Sequence, residues 1–214
     1  IIVGSKGNFS NDSTGLTVRM TRIDSWTPEL RGYADIHNHQ FANLGFGGKF
    51  IVGMPYGAAD EALSPDRDRS QHGILHAGDI IGNRMDDRPV FQPLPEGGHP
   101  GYRSWPRWDE TNHQKAHQDW LRRAVTGGLR LMVMLALDSP ILCKSDVGGV
   151  RMATDGRNCD DEAHSLQLQL KEAVKMQDAI DAEAGGAGQG WYRIVSTPAE
   201  ARDVIAAGKL AVVL

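Results

Sequence analysis

Two hydrophobic spacings alternate along this chain. Residues 129–137 and 209–214 are nearly unbroken apolar runs, as in strands buried on both faces of a parallel sheet, and residues 191–195 form a shorter run of the same kind. Between them the spacing is helical. Over residues 111–125, Ala116, Trp120, Leu121, Ala124 and Val125 share one side, and Gly127 and Gly128 end the segment. Over residues 160–184 the predicted inner face carries Ala163, Leu166, Leu170, Ala173, Val174 and Ile180. Asp160, Asp161 and Glu162 occupy the first turn, where the helix dipole favours them, and Gly185 and Gly186 stop the helix. Thr197-Pro-Ala-Glu200 has the spacing of a capping box with proline at the first helical position, which predicts a last helix reaching Ala207. Strands alternating with helices predict an α/β fold with a parallel sheet and about three βα units.

The rest is less regular. Two β-prone runs, residues 1–3 and 16–23, flank a Gly/Asn/Ser/Asp-rich stretch, so residues 1–31 read as an N-terminal β segment, a hairpin or strand pair. Residues 33–39 form a short strand opening into the glycine-rich stretch 45–48. Residues 45–110 and 138–158 lack sustained periodicity and read as long loop insertions of the kind that carry function.

Composition narrows the function classes. The 214 residues are 40% hydrophobic, enough for one ordinary core, and the net charge of -4 comes with scattered basic residues, which argues against a nucleic-acid partner. The longest apolar run, residues 131–137, is far below the roughly 20 residues that cross a bilayer, so no membrane span is expected. The sequons at Asn8 and Asn11 and the cysteines Cys143 and Cys159 fit a secreted or periplasmic protein. Sequons also arise by chance, and two cysteines can equally be free thiols or one bridge; the sequence leaves both choices open.

The chemistry concentrates in Asp35, His37 and His39. Alternate strand positions point to one face, and two imidazoles at i and i+2 can share one cation at Zn–N distances of roughly 2.0–2.1 Å. His37 and His39 are therefore the candidate metal ligands, against the plain reading of a chance pair at a polar strand end. Asp35, with His72 and His76 in the long loop that follows, is a candidate for substrate binding. His113 and His117 stand at helical i, i+4 spacing, for which packing is the better reading, and His99 and His164 carry no signal. Tyr102, Trp105 and Trp108, beside Pro106 and Arg107, would stack a substrate or pack a core or lid.

Ala34-Asp-Ile-His-Asn-His39 resembles the Asp-x-His-x-His signature that ends the first strand in the amidohydrolase superfamily, and residues 195–214 are similar to a helix and strand of its membrane-dipeptidase-like members. Those members carry His-x-Asp where this chain has His37-Asn-His39. The resemblance implies the opening part of a (β/α)8 TIM-type barrel spanning residues 32–214. It also implies a divalent metal, zinc above all, on His37 and His39, and hydrolysis of an amide, ester or related bond in a small-molecule or peptide-like substrate. The family's remaining ligands would fall beyond Leu214, so the expectation is that the rest of the same polypeptide completes the site. Two alternatives stand beside this reading. One is a phosphoesterase with an Asp-x-His-x-His metal site, although its later Ser-Asp-Gly and Thr-Asp-His steps do not occur here. The other is a non-catalytic secreted interaction module on the same fold.

Overall fold

The computed structural model describes residues 29–63, 83–89, 97–99, 105, 110–147, 150–151 and 159–214. The chain divides into two compact units, Ile1–Leu30 and Arg31–Leu214. The N-terminal β segment, both sequons, His72, His76, Tyr102, Pro106, Arg107 and Trp108 lie outside the described residues.

The second unit is a mixed α/β structure. In chain order it contains β1 (Tyr33–Asn38), α1 (Ala42–Gly45), α2 (Ala59–Ala62), α3 (Gln118–Thr126), β2 (Leu129–Met134), α4 (Pro140–Lys144), β3 (Asp146–Val147), β4 (Val150–Arg151), α5 (Glu162–Glu183), β5 (Tyr192–Ile194), α6 (Pro198–Ala206) and β6 (Leu210–Val213). Four strands form one parallel sheet in the order β1-β2-β6-β5, and β3 and β4 make a small antiparallel pair. In a barrel built strand after strand, β2 would adjoin β5; here β6 takes that place and β5 lies outside it.

Burial follows that order. β6 lies between two neighbours, and Leu210, Ala211 and Val212 are fully buried, as its unbroken apolar run predicts. β1, an outer strand among the described residues, is largely exposed, with Ile36 at 71%. Its burial repeats every third residue rather than every second, because register shifts against β2 fall after Tyr33 and between Asp35 and Asn38. The main core gathers Phe41, Leu121, Val125, Met132, Met134, Met176, Ile180, Tyr192 and Leu210, and a second cluster gathers Val52, Ala62, Leu63 and Trp105.

Two helices depart from the periodicity. α3 begins at Gln118, seven residues after the predicted start at 111, because the preceding backbone is already engaged. Val52 N–H donates to Asn112 O and Gln114 N–H donates to Val52 O, while the Gln114 side chain accepts from Lys115 and Ala116 N–H. His113 and His117 therefore do not share a helix face. α5 spans the predicted residues but is rotated about its axis. Its buried side is Ser165, Gln169, Glu172, Ala173, Met176, Ile180 and Asp181, whereas Ala163, Leu170 and Val174 are exposed. Two of these polar side chains, Gln169 and Asp181, take the inner face because they meet backbone groups that need partners, and Glu172 accepts from Tyr56 Oη. Gln169 accepts from Leu137 N–H (3.2 Å) and donates to Leu137 O (2.6 Å), and Asp181 accepts from Gly188 and Gly190 N–H and from Arg193.

The capping box closes from both directions. Glu200 N–H donates to Thr197 Oγ1 (3.2 Å), and Thr197 N–H donates to Glu200 Oε2 (3.3 Å). Cys143 and Cys159, left open by the sequence, are bridged, with Cα atoms 5.6 Å apart, and the Lys144–Asp160 ion pair lies beside them. Thr197→Ala should lower stability by about 0.5–2 kcal/mol, read as a shift of the urea midpoint at unchanged slope. Replacing both cysteines by serine should lower it by about 3 kcal/mol, since the bridge closes a loop of about 15 residues. An unchanged midpoint in either variant would mean that the cap or the bridge contributes no stability.

Candidate metal centres

Two clusters of imidazoles stand out, and each is oriented by a backbone carbonyl. The first lies at the C-terminal end of β1. The Nε2 atoms of His37 and His39 meet at 2.9 Å, and both rings are exposed. His39 Nδ1 lies 2.9 Å from Leu135 O. A carbonyl only accepts, so Nδ1 carries the proton, and in the neutral ring the Nε2 lone pair faces His37. Without a metal, His37 Nε2–H donates into that lone pair. With metal–nitrogen bonds of roughly 2.0–2.1 Å, nitrogens this close subtend about 90° at the ion, and opening them by a few tenths of an ångström reaches a tetrahedral angle.

Asp35 braces this strand end. Its carboxylate accepts from His37 N–H (3.1 Å) and from Asn38 Nδ2 (3.0 Å). Beneath the pair, Tyr192 donates to Gln40 Oε1 (3.0 Å), and Gln40 Nε2 reaches Met176 Sδ, so the residue after His39 is fully buried and held. Gly45 permits the close packing of α1 on the chain leaving β2, since a Cβ there would lie 2.3 Å from Leu137 O.

The second cluster comprises His99, His117 and Asp119, the one grouping of three or more metal-type ligands among the described residues, and it could hold a metal ion. His117 is the N-cap of α3 and is fully buried. Only Gly127 and Gly128 separate the end of α3 from the start of β2. His117 Nε2 lies 3.1 Å from Gly57 O and must be its protonated nitrogen, while Nδ1 accepts a long contact from Asp119 N–H (3.3 Å). His99 Nε2 lies 3.1 Å from Asp119 Oδ2, and His117 Nδ1 lies 3.8 Å from the same oxygen. Trp120 packs edge-on to both imidazoles, at centroid distances of 4.8 and 5.9 Å. Burial pushes the His117 imidazole below its ordinary pKa and His99 acts in the same direction, against the opposing pull of Asp119 and Gly57 O.

Sequence reasoning missed this cluster. His99 stands 18 residues before His117 with no pattern linking them, and the helical spacing over 111–125 places His117 in a helix interior, where a side chain cannot cap. Its readable signal is His117-x-Asp119 at a helix start. His164, also without a signal, sits in the first turn of α5, where its N–H donates to Asp161. Trp105 is buried and donates to Gln114 O (3.2 Å), so it belongs to the packing. The chain matches no protein-family model, no curated protein and no solved structure.

In metal-free protein, the lowered His117 pKa has a definite sign for stability. The unfolded chain binds the proton more readily, so this contribution is complete above about pH 6.5 and is lost as pH falls below it. His117→Asn keeps a good capping residue that does not titrate. Denaturation midpoints measured between pH 8 and 5 with chelator present should fall less steeply in the variant than in the wild type; parallel slopes would contradict the assignment.

Proposed function

We propose that this chain is a metal-dependent hydrolase of the amidohydrolase kind, with His37 and His39 as two of the ligands at its catalytic metal. The observation that carries the reading is the convergence of the two Nε2 atoms at 2.9 Å, with the His39 tautomer set by Leu135 O. A metal-binding histidine commonly donates its other N–H to a carbonyl in this way, which makes the facing nitrogen the better ligand. The donor set suits zinc, which takes imidazole nitrogen readily. When bound, such an ion lowers the pKa of a coordinated water toward neutrality and polarises the scissile group of an amide, an ester or a related bond.

The chain's own residues hold the ligands in place. Asp35 fixes the backbone at His37 and the Asn38 side chain, Leu135 orients His39, and Gln40 anchors the strand end to Tyr192 and Met176. Catalytic zinc sites use three protein ligands, so the reading requires a further ligand from outside the described residues. We take the run β1-β2-β6 as the opening strands of a (β/α)8 barrel, with β5 an added strand outside that run; the strand C-termini of such a barrel face the active-site mouth, and the substrate is a small molecule or peptide-like compound. The disulfide supports a secreted or periplasmic setting. Among the described residues no helix is long and apolar enough to cross a membrane.

The test is hydrolysis of a panel of amide and ester substrates by chelator-treated protein, with and without added zinc, cobalt or manganese. Metal should restore activity to the wild type, and His37→Ala and His39→Ala should each reduce the metal-dependent rate at least about 100-fold, as expected where one site both activates water and polarises the bond. Metal-independent hydrolysis, or full activity in the two variants, would sink the reading.

A further inference from the structure

We propose that His99 Nε2, His117 Nδ1 and Asp119 Oδ2 form a second metal site, separate from His37 and His39, for a zinc-type divalent cation. Gly57 O can only accept, so the proton of neutral His117 is on Nε2 and the Nδ1 lone pair is on the side of Asp119. A backbone carbonyl behind a ligating imidazole is the usual arrangement at metal centres, and here it is built into a side chain that is fully buried. His99 is also buried, at 5% exposure, and its Nε2 faces the same carboxylate oxygen.

The ligand atoms of the three residues lie within 4.8 Å of one another, and the widest pair must close by about 1.5 Å to reach the tetrahedral separation around one ion. His99 Nε2 and His117 Nδ1 already lie 3.1 and 3.8 Å from Asp119 Oδ2, so the widest gap is the one between the two imidazoles, and the rings, both edge-on to Trp120, are what must close on the ion. The exposed side of Asp119 also leaves room for a fourth, solvent ligand. Two imidazoles and one carboxylate select zinc and its first-row neighbours over calcium or magnesium, which prefer oxygen.

Two costs oppose binding. The ion displaces the contact from Asp119 N–H to His117 Nδ1, which at 3.3 Å is a weak cap, and it approaches the positive end of the α3 dipole. The Asp119 carboxylate offsets the second directly, as it sits in the first turn of that helix. The bound ion would tie three separate stretches together: the segment carrying His99, the loop at Gly57 and the start of α3.

Trp120 gives the site its own optical reporter, since open-shell cobalt(II) or copper(II) ions quench an adjacent indole. Chelator-treated full chain is titrated with cobalt(II) while tryptophan fluorescence is followed, alongside His99→Gln, Asp119→Asn, Trp120→Phe and the double variant His37→Ala/His39→Ala. One equivalent should quench the wild type, and the double variant should quench equally. Trp120→Phe should lose that component. His99→Gln and Asp119→Asn should bind more weakly by more than about 100-fold, beyond the roughly 10–100-fold lost with a second-shell partner. Asp119→Asn guards against misfolding, because its side chain is half exposed and the backbone N–H of residue 119 is retained. Absence of quenching in the wild type, unchanged quenching in Asp119→Asn, or loss of quenching in the His37/His39 variant would overturn the site. The readout needs no catalytic activity, so it stands or falls apart from the hydrolase reading.

Discussion

The chain leaving β2 must find partners for its backbone polar groups where no further strand residues supply them, and the arrangement of the candidate site depends on how it does so. Leu135 N–H donates to Asn38 O, which ties the exit of β2 to the end of β1. Leu135 O takes the proton of His39 Nδ1, Leu137 uses both its N–H and its carbonyl on Gln169, and Ser139 N–H reaches Gly45 O. Residues 135–139 are only partly buried, so each of these bonds contributes modestly, about 0.5–1.5 kcal/mol. They fix the His39 ring, the rotation of α5 and the seat of α1 together.

The same device recurs at the other cluster. Gly57 O holds the proton of His117, as Leu135 O holds that of His39, and the opposite ring nitrogen is turned toward Asp119 in the one case and toward His37 in the other. The environments differ. His37 and His39 are exposed, whereas His99 and His117 are buried beside Trp120. An exposed pair can meet a substrate. A buried pair with a half-exposed carboxylate suits an ion that holds segments together.

Buried polar side chains explain why α5 turned against its apparent apolar face. Gln169, Asp181 and the Gln40–Met176 contact each satisfy groups that a leucine could not, while Leu170 and Val174 face outward. Leaving two aliphatic side chains partly in water costs less than burying unpaired amides and carbonyls, since the hydrophobic term is non-directional and an orphaned buried donor or acceptor is penalised in full.

Local signals determined much of the secondary structure. The unbroken run in β6, the Thr197–Glu200 capping box and the glycines after α3 and α5 each act within a few residues, and the structure has the corresponding elements at those places. The i, i+2 spacing of His37 and His39 likewise put both rings in reach of each other. The tertiary structure decided what depends on distant partners. These are the place of β6 between β2 and β5, the late start of α3 behind the Val52–Gln114 pairing, the Cys143–Cys159 bridge, and the meeting of His99 with His117 and Asp119. Periodicity records which residues prefer to leave water; it carries no information on which backbone carbonyl will hold a given imidazole or amide, because that partner comes from another part of the chain.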